Sequence, residues 1–540
     1  MSIRLTRVRI ENFKSIKEVE FPVSYSNLFF GKNNSGKSSI LKAINAAILD
    51  SPNITKDDVT NIESDPYTVD KKITIELVFE PEKRDSNHFD DEWSRVLKGY
   101  TGKLGNTDRD VFAIRRVFSY NKNSEFYDFE TYYFSKYIIG GMSKIGGTLD
   151  DRILDFYITS YYLDATIDQE KNVKAHHEFI EDILSRIKNL KNIDLNQFSS
   201  EVVEEIKRFD PDFAYKSIFE TMKNVSGGTS SVLIYSLFKA QINLFHKLLI
   251  PFHSILLIEE PEVHMHPQAQ MELMHIVKEI EGQKYICTHS PYIVNHFPVH
   301  KLVRVVHEDD KTLIYKFDTR VNINELRAIN LKCMTYKAEM IFANKVVLFE
   351  GQTEHIALPL FFEKYYGCLP FEKGYSFIYV EGDSNYKAYL QICNALHIDW
   401  YIFSDGEPIV IDFLNKMMRG LTHNENYDVN KDPRIILIPK GLCYEEYLAY
   451  YGFANEISKV IDYKEKRSNV VAQKIKSSSW RDFKLESHKY KSEYPDFEQC
   501  CAVINKKHKT EYAEPIAREI CKNHEPNDLP KPVVDLLEKL

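Results

Sequence analysis

Two stretches of this 540-residue chain place residue types at spacings that suit phosphate chemistry. In FGKNNSGKSS, Gly31 and Gly36 bracket four residues, and Lys37 and Ser38 follow directly. The stretch lies between an apolar strand, NLFF, and a helical run, SSILKAINAAIL. In that context the loop turns backbone N–H groups toward a phosphate, with Asn33, Asn34, Ser35, Gly36 and Ser39 forming the cradle. Lys37 would reach the β- and γ-phosphates of ATP, and the Ser38 hydroxyl would hold Mg²⁺. In the second stretch, KVVLFEGQTEH, an apolar strand stops at Glu350, Gly351 lets the chain turn, and Glu354 falls in the first turn of a helix.

Three further pieces belong with the glycine-rich loop. SILLIEEPE is a buried-strand run that delivers Glu259 and Glu260 to its carboxyl end. At such a position the first acid holds Mg²⁺ through water and the second polarises the attacking water. KYICTHS ends another buried strand and places His289 to sense the γ-phosphate, although a lone histidine there is more often structural. NVSGGTSS offers a hydroxyl and free N–H groups at Ser226 and Gly228. One nucleotide does not need this second anion site, so it would complete the site of another subunit.

Glu350 and Glu354 have partners of their own. WYIFSDGE is another strand, carrying Asp405 and Glu407 to its tip. Parallel α/β sheets bind ligands at the carboxyl edge, so these acids converge there. Hard oxygen donors suit Mg²⁺ or Mn²⁺ held partly by water, and such ions activate water for phosphodiester cleavage. The alternative is that the acids are helix caps and solvated turn residues.

The elements that must position these residues follow from the hydropathy pattern. Strand-like segments (RLTRVRIENF, SNLFF, KKITIELVFE) open the chain, and apolar strands return over 226–320. Residues 85–225 read as an insertion on that core, with a polar part, an aromatic cluster at 126–137 and helical segments. The aromatic cluster is expected in the core. From about 336, the strands KVVLFEG, FIYVEGD, WYIFSDG and RIILIPKG alternate with helical patterns, which implies a parallel sheet. A helical, lysine-rich end follows.

The formal net charge of −9 argues against nonspecific coating of nucleic acid, although a local basic groove remains compatible with it. Residues 464–491 hold nine Lys/Arg against three Asp/Glu, with Trp480 and Tyr490 interleaved. That pattern suits either a nucleic-acid groove or a solvated helix face. Eight scattered cysteines without a CxxC pair read as reduced thiols of a cytoplasmic protein, and no apolar run is long enough for a membrane span.

RVRIENFKSIKEVEF, the glycine-rich loop, SGGTSS, LLIEEPEVHMHP and THSPY together resemble the ABC-type ATPases of the SMC and DNA-repair group. The IEEPE…HP form is most similar to the OLD (overcoming lysogenisation defect) family, and VVLFEGQTE…IYVEGDSNYKAYLQICNALHIDWYIFSDGE resembles a Toprim domain. The resemblance implies an α/β protein in two parts. Residues 1–335 would be an ABC-type P-loop ATPase domain with an inserted helical or dimerisation segment at about 85–225. Residues 336–540 would be a Rossmann-like Toprim domain with a helical C-terminal part.

The same resemblance implies that Glu350, Glu354, Asp405, Glu407 and Glu445 are metal ligands and that Lys509 stabilises the scissile phosphate. It further implies an ATP-regulated DNA endonuclease active in defence against phage, working as a homodimer or homotetramer. Such proteins act alone, with a helicase-like partner, or beside a retron's reverse transcriptase and its RNA–DNA product. Two departures bear on the metal: Asp-Gly-Glu stands at 405–407 where Asp-x-Asp is usual, and Asp383 adds an acid in EGDSN. The rival reading is an ATP-driven DNA clamp or sensor whose Toprim part is structural.

Overall fold

The computed structural model describes residues 3–164, 251–461 and 509–540, apart from short stretches such as 61–71 and 318–322, together with five residues between 235 and 246. The chain divides into two units, Met1–Thr319 and Arg320–Leu540.

Unit 1 is built on two sheets. The first has seven strands: β1 (Ile3–Phe13), β2 (Ile16–Pro22), β4 (Ile73–Pro81), β5 (Gly102–Leu104), β6 (Asp110–Tyr120), β7 (Tyr127–Tyr137) and β8 (Lys144–Thr148), in the order β2-β1-β4-β6-β5-β7-β8. All pairings are antiparallel except β5 with β7. The alternation in IRLTRVRIENF buries Ile3, Leu5, Val8, Ile10 and Phe13, with a register shift between Leu5 and Arg7 keeping the later apolar residues inward.

The second sheet runs β13-β12-β3-β11-β10-β9, from β3 (Ser26–Phe30), β9 (Ile158–Asp164), β10 (His253–Glu259), β11 (Gln283–Cys287), β12 (Leu302–Glu308) and β13 (Lys311–Lys316). Only β13 is antiparallel to its neighbour. β10 has a parallel neighbour on each side and every residue of HSILLIE is buried, which is why its sequence is an unbroken apolar run. Helix α1 (Lys37–Ile48) shares one apolar core with both sheets. Ile40, Leu41, Ile44 and Ile48 pack with Ile10, Ile75, Leu77 and Ile114 of one sheet and with Ile255, Leu257 and Cys287 of the other. Each such fully buried aliphatic side chain contributes about 2 kcal/mol.

Of the span 85–225, residues 102–148 supply β5–β8 and residues 158–164 supply β9. Residues 165–225 lie outside the described residues. In the aromatic cluster Tyr127, Phe134 and Tyr137 are buried, whereas Phe126 is 64% exposed at the strand start. The buried residues are core, as the composition suggests, and the half-buried Phe129 packs against the core that holds Tyr127 and against the Phe118 ring.

Unit 2 carries a four-stranded parallel sheet in the order β15-β14-β16-β17, from β14 (Lys345–Phe349), β15 (Tyr375–Tyr379), β16 (Asp399–Ser404) and β17 (Ile435–Leu437). Around it lie α2 (Gln352–Tyr366), α3 (Tyr386–Ala395), α4 (Pro408–Thr422), α5 (Tyr444–Tyr450), α6 (Lys509–Asn523) and α7 (Lys531–Lys539). Val347, Phe349 and Phe403 of the strands meet Phe361 and Phe362 of α2, Ile516 and Ile520 of α6 and Val533 and Leu537 of α7 in one core. The basic stretch 464–491 lies outside the described residues. Among the described residues, no helix is long and apolar enough to cross a membrane.

Candidate functional site

In unit 1, β3, β11 and β10 lie side by side and parallel, so the residues at their carboxyl ends share one edge. The loop after β3 runs through Gly31 (φ 152°), Asn34 (φ 62°) and Gly36 (φ 102°) before α1 begins at Lys37. A Cβ on Gly31 would collide with the Val305 carbonyl oxygen, so close approach and backbone conformation both demand glycine there. Lys37 is buried, and its ammonium donates to the Gly31 carbonyl at 3.0 Å and the Lys32 carbonyl at 2.7 Å. Burial lowers its pKa, against the pull of Cys287, Glu260, Glu259 and Glu262. Asn33 and Asn34 are exposed, Ser35 is buried, and Ser38 lies in the first turn of α1. Ser39 pairs its hydroxyl with that of Ser15 at 3.1 Å.

Glu259 ends β10 and is 7% exposed. It accepts a hydrogen bond from the Tyr162 hydroxyl and lies 3.4 Å from the Lys42 ammonium, one turn beyond Ser38 on α1. Glu260 takes a left-handed backbone (φ 45°) and donates its N–H to the Cys287 carbonyl at 2.9 Å. Its carboxylate lies 3.7 Å from His289 Nε2. Burial and then the positive charge of Lys37 lower the His289 pKa, so the imidazole is neutral at pH 7. Sequence reasoning missed Glu262, whose Oε1 accepts the His289 N–H at 2.6 Å and whose pKa is raised chiefly by burial. It is the third acid of the same EEPE stretch and was legible there. Tyr162 left no such signal, because it meets Glu259 across 97 positions through the β9–β10 pairing. Ser226 and Gly228 lie outside the described residues.

In unit 2, Glu350 follows β14, and Gly351 caps α2. Glu354 is 5% exposed and folds its carboxylate back over Gly351, where any Cβ would collide with it. Asp405 and Glu407 follow β16, the strand beside β14. A Cβ on Gly406 would collide with the Ile438 carbonyl oxygen beyond β17, which accounts for glycine between the two acids. Asp405 accepts the Tyr444 N–H at 2.8 Å, and Glu445, 6% exposed, accepts from the Thr353 hydroxyl at 2.9 Å. The loops after β14 and β16 and the start of α5 therefore bring Glu350, Glu354, Asp405 and Glu445 to one end of the sheet. Glu407, at the N-terminus of α4, is exposed.

Burial, then the charge of Glu445, with further contributions from Glu350 and Glu407, push the Asp405 pKa up to about 7 against the Tyr444 N–H. Beneath the acids, the fully buried hydroxyls of Tyr386 and Tyr444 have no hydrogen-bond partner among the described residues. A hard divalent cation suits this donor set, since it would offset the crowded negative charge. Among the described residues, no three His, Cys, Asp or Glu side chains already close on a single point. Lys509 opens α6, its side chain outside the described residues, as is Asp383.

The family model described as "AAA ATPase domain" matches residues 3–146 and 147–294, more than half of the chain. The model described as "Overcoming lysogenization defect protein-like, TOPRIM domain" matches residues 341–406. The chain is 22% identical over 454 residues to Endonuclease GajA of Bacillus cereus, covering 75% of each. It is 23% identical over 490 residues to the Old nuclease of Escherichia phage P2, covering 77% of this chain and 79% of that one. The OLD nuclease of Thermus scotoductus is 23% identical over 471 residues, covering 76% of this chain and 83% of that one. The chain belongs to the AAA ATPase domain family, and its ATPase is joined to a Toprim domain of the OLD type.

Proposed function

We propose that this protein is an ATP-dependent nuclease that nicks or cuts DNA at the acidic edge of unit 2, using a divalent metal. The observation that carries this reading is the placement of Glu350 and Asp405 just beyond the ends of adjacent parallel strands, with Glu354 and Glu445 at the same end of the sheet, in a chain whose other unit carries a phosphate loop. The nuclease names of the relatives support it. Glu350 and Asp405, on adjacent strand ends, would hold the cation, with Glu354 and Glu445 behind them and Glu407 at the rim. The cation, Mg²⁺ or Mn²⁺, would supply a polarised water and charge neutralisation at the phosphate. Lys509 would stabilise negative charge on the scissile phosphate.

In unit 1, Lys37 and the loop N–H groups would bind the ATP phosphates, Ser38 and Glu259 would hold Mg²⁺, and Glu260 would orient the attacking water. Ser226 and Gly228 would complete the nucleotide site of a second copy, making the working form a homodimer or a pair of dimers. We place its role in defence against phage.

A specific observation favours a second reading, an ATP-driven clamp or sensor with a structural Toprim domain. Glu445 and Asp405 already have hydrogen-bond partners within the fold. Nicking of supercoiled plasmid with Mg²⁺ or Mn²⁺ separates the two. Cleavage by wild type, lost in Glu350→Ala and Asp405→Ala while ATP turnover persists, supports the nuclease. Cleavage that survives both substitutions rules it out.

A further inference from the structure

Tyr386 is the first residue of α3, the helix that connects β15 to β16. β14 lies between those two strands in the sheet, so the crossover carries the start of α3 past the end of β14, where Glu350 stands. The Tyr386 side chain has no exposed surface, and among the described residues its hydroxyl has no partner at full hydrogen-bond geometry. Glu350, Glu354 and Asp405 all act on that hydroxyl electrostatically. The Ser404 hydroxyl, the last group of β16 before Asp405, is a polar neighbour that interacts with it weakly, and among the described residues Ser404 also has no partner at full hydrogen-bond geometry. Burying a phenol oxygen without a well-formed hydrogen bond is costly, and a stronger acceptor gained in another state of the protein would offset that cost.

Besides the Ser404 hydroxyl, the acceptors that act on it are the carboxylates of Glu350, Glu354 and Asp405. We propose that Tyr386 is a positioning residue of the acidic site. Its hydroxyl donates to the carboxylates as a divalent cation draws them together, and so sets the orientation in which Glu350 and Asp405 meet the ion. This inference rests on the reading of unit 2 as a metal-dependent Toprim site. Tyr386 touches neither the cation nor the DNA in this scheme. It acts through the carboxylates, as partners of metal ligands commonly do.

The test measures Mn²⁺ binding to the full-length, nucleotide-free protein by electron paramagnetic resonance, comparing wild type, Asp405→Asn and Tyr386→Phe. The rise in Tm between EDTA and Mn²⁺ is measured on the same samples. Tyr386→Phe keeps the ring and removes one oxygen. The expected result is Mn²⁺ affinity about tenfold weaker in Tyr386→Phe and a smaller Mn²⁺-dependent rise in Tm. Because that rise compares each variant with itself, it reads metal coupling even if the baseline Tm moves. Equal affinity and an equal rise in wild type and Tyr386→Phe would overturn the proposal. If wild type binds no more Mn²⁺ than Asp405→Asn does, the Toprim metal reading itself fails and takes this inference with it, an outcome distinct from the first.

Discussion

Glu260 and His289 face each other across 3.7 Å at the ends of adjacent parallel strands, although 29 positions of chain and a helix separate them. Glu260 reaches this place through a left-handed backbone that follows directly on the buried strand β10, and a backbone hydrogen bond to Cys287 fixes it to β11. In the proposed ATP site such a pair would orient a water and report on the phosphate it attacks.

Glu260→Gln should therefore lower the ATP turnover rate by about 10²–10⁴-fold, the range lost with a positioned general base, while ATP binding stays near normal. Single-turnover hydrolysis set against nucleotide binding checks this. A fall in binding equal to the fall in rate would assign Glu260 a structural role instead.

Two glycines of unit 2 should respond in opposite ways. Gly406→Ala forces a Cβ against the Ile438 carbonyl and should displace the Asp405 loop, lowering both Tm and plasmid nicking. Gly420, exposed in α4 with open space around it, should tolerate alanine with a gain of up to about 1 kcal/mol. Chemical denaturation of the two variants provides the comparison.

Arg116 of β6 is fully buried and donates to the Ala46 carbonyl at 3.2 Å, to the Leu49 carbonyl and to the Thr131 hydroxyl at 2.9 Å, with its guanidinium 4.5 Å from the Phe129 ring centre. It thus holds the C-terminal carbonyls of the helix whose other end forms the phosphate loop. Arg116→Met should leave those carbonyls unpaired and cost about 2–3 kcal/mol. A weakened ATP affinity in the still-folded variant would show that anchoring α1 also preserves the loop.

His253 opens β10, is fully buried, and bonds through Nε2 to Gln283 Oε1 at 2.9 Å. Burial pushes its pKa down to about 4 from an unfolded value of 6.5. A depressed histidine favours folding when neutral, so its contribution is present above pH 6.5 and is lost as pH falls through about 4. The loss amounts to about 3 kcal/mol. His253→Gln, which keeps an amide donor, should flatten the stability profile over that window. An unchanged slope in urea melts between pH 6.5 and 4 would contradict this.

Much of both sites was legible in the chain itself, and the reason is local. A glycine-rich loop between an apolar strand and a helix needs only neighbouring residues, and so does an acid at the tip of a buried strand. Lys37, Glu259, Glu350 and Asp405 could each be located that way, because strand ends and turns are set by short-range patterns of burial and backbone freedom. Tertiary structure alone decided which tips stand side by side. The order β3-β11-β10-β9 brings Glu260 to His289 and Tyr162 to Glu259, and the order β15-β14-β16 carries Tyr386 past Glu350. The Thr353–Glu445 bond spans 92 positions, and the raised Asp405 pKa depends on burial and on charges from two distant chain segments, at Glu445 and Glu350, besides the neighbouring Glu407. Strand order and dielectric environment arise from packing distant segments into one core, and no local stretch of sequence contains them.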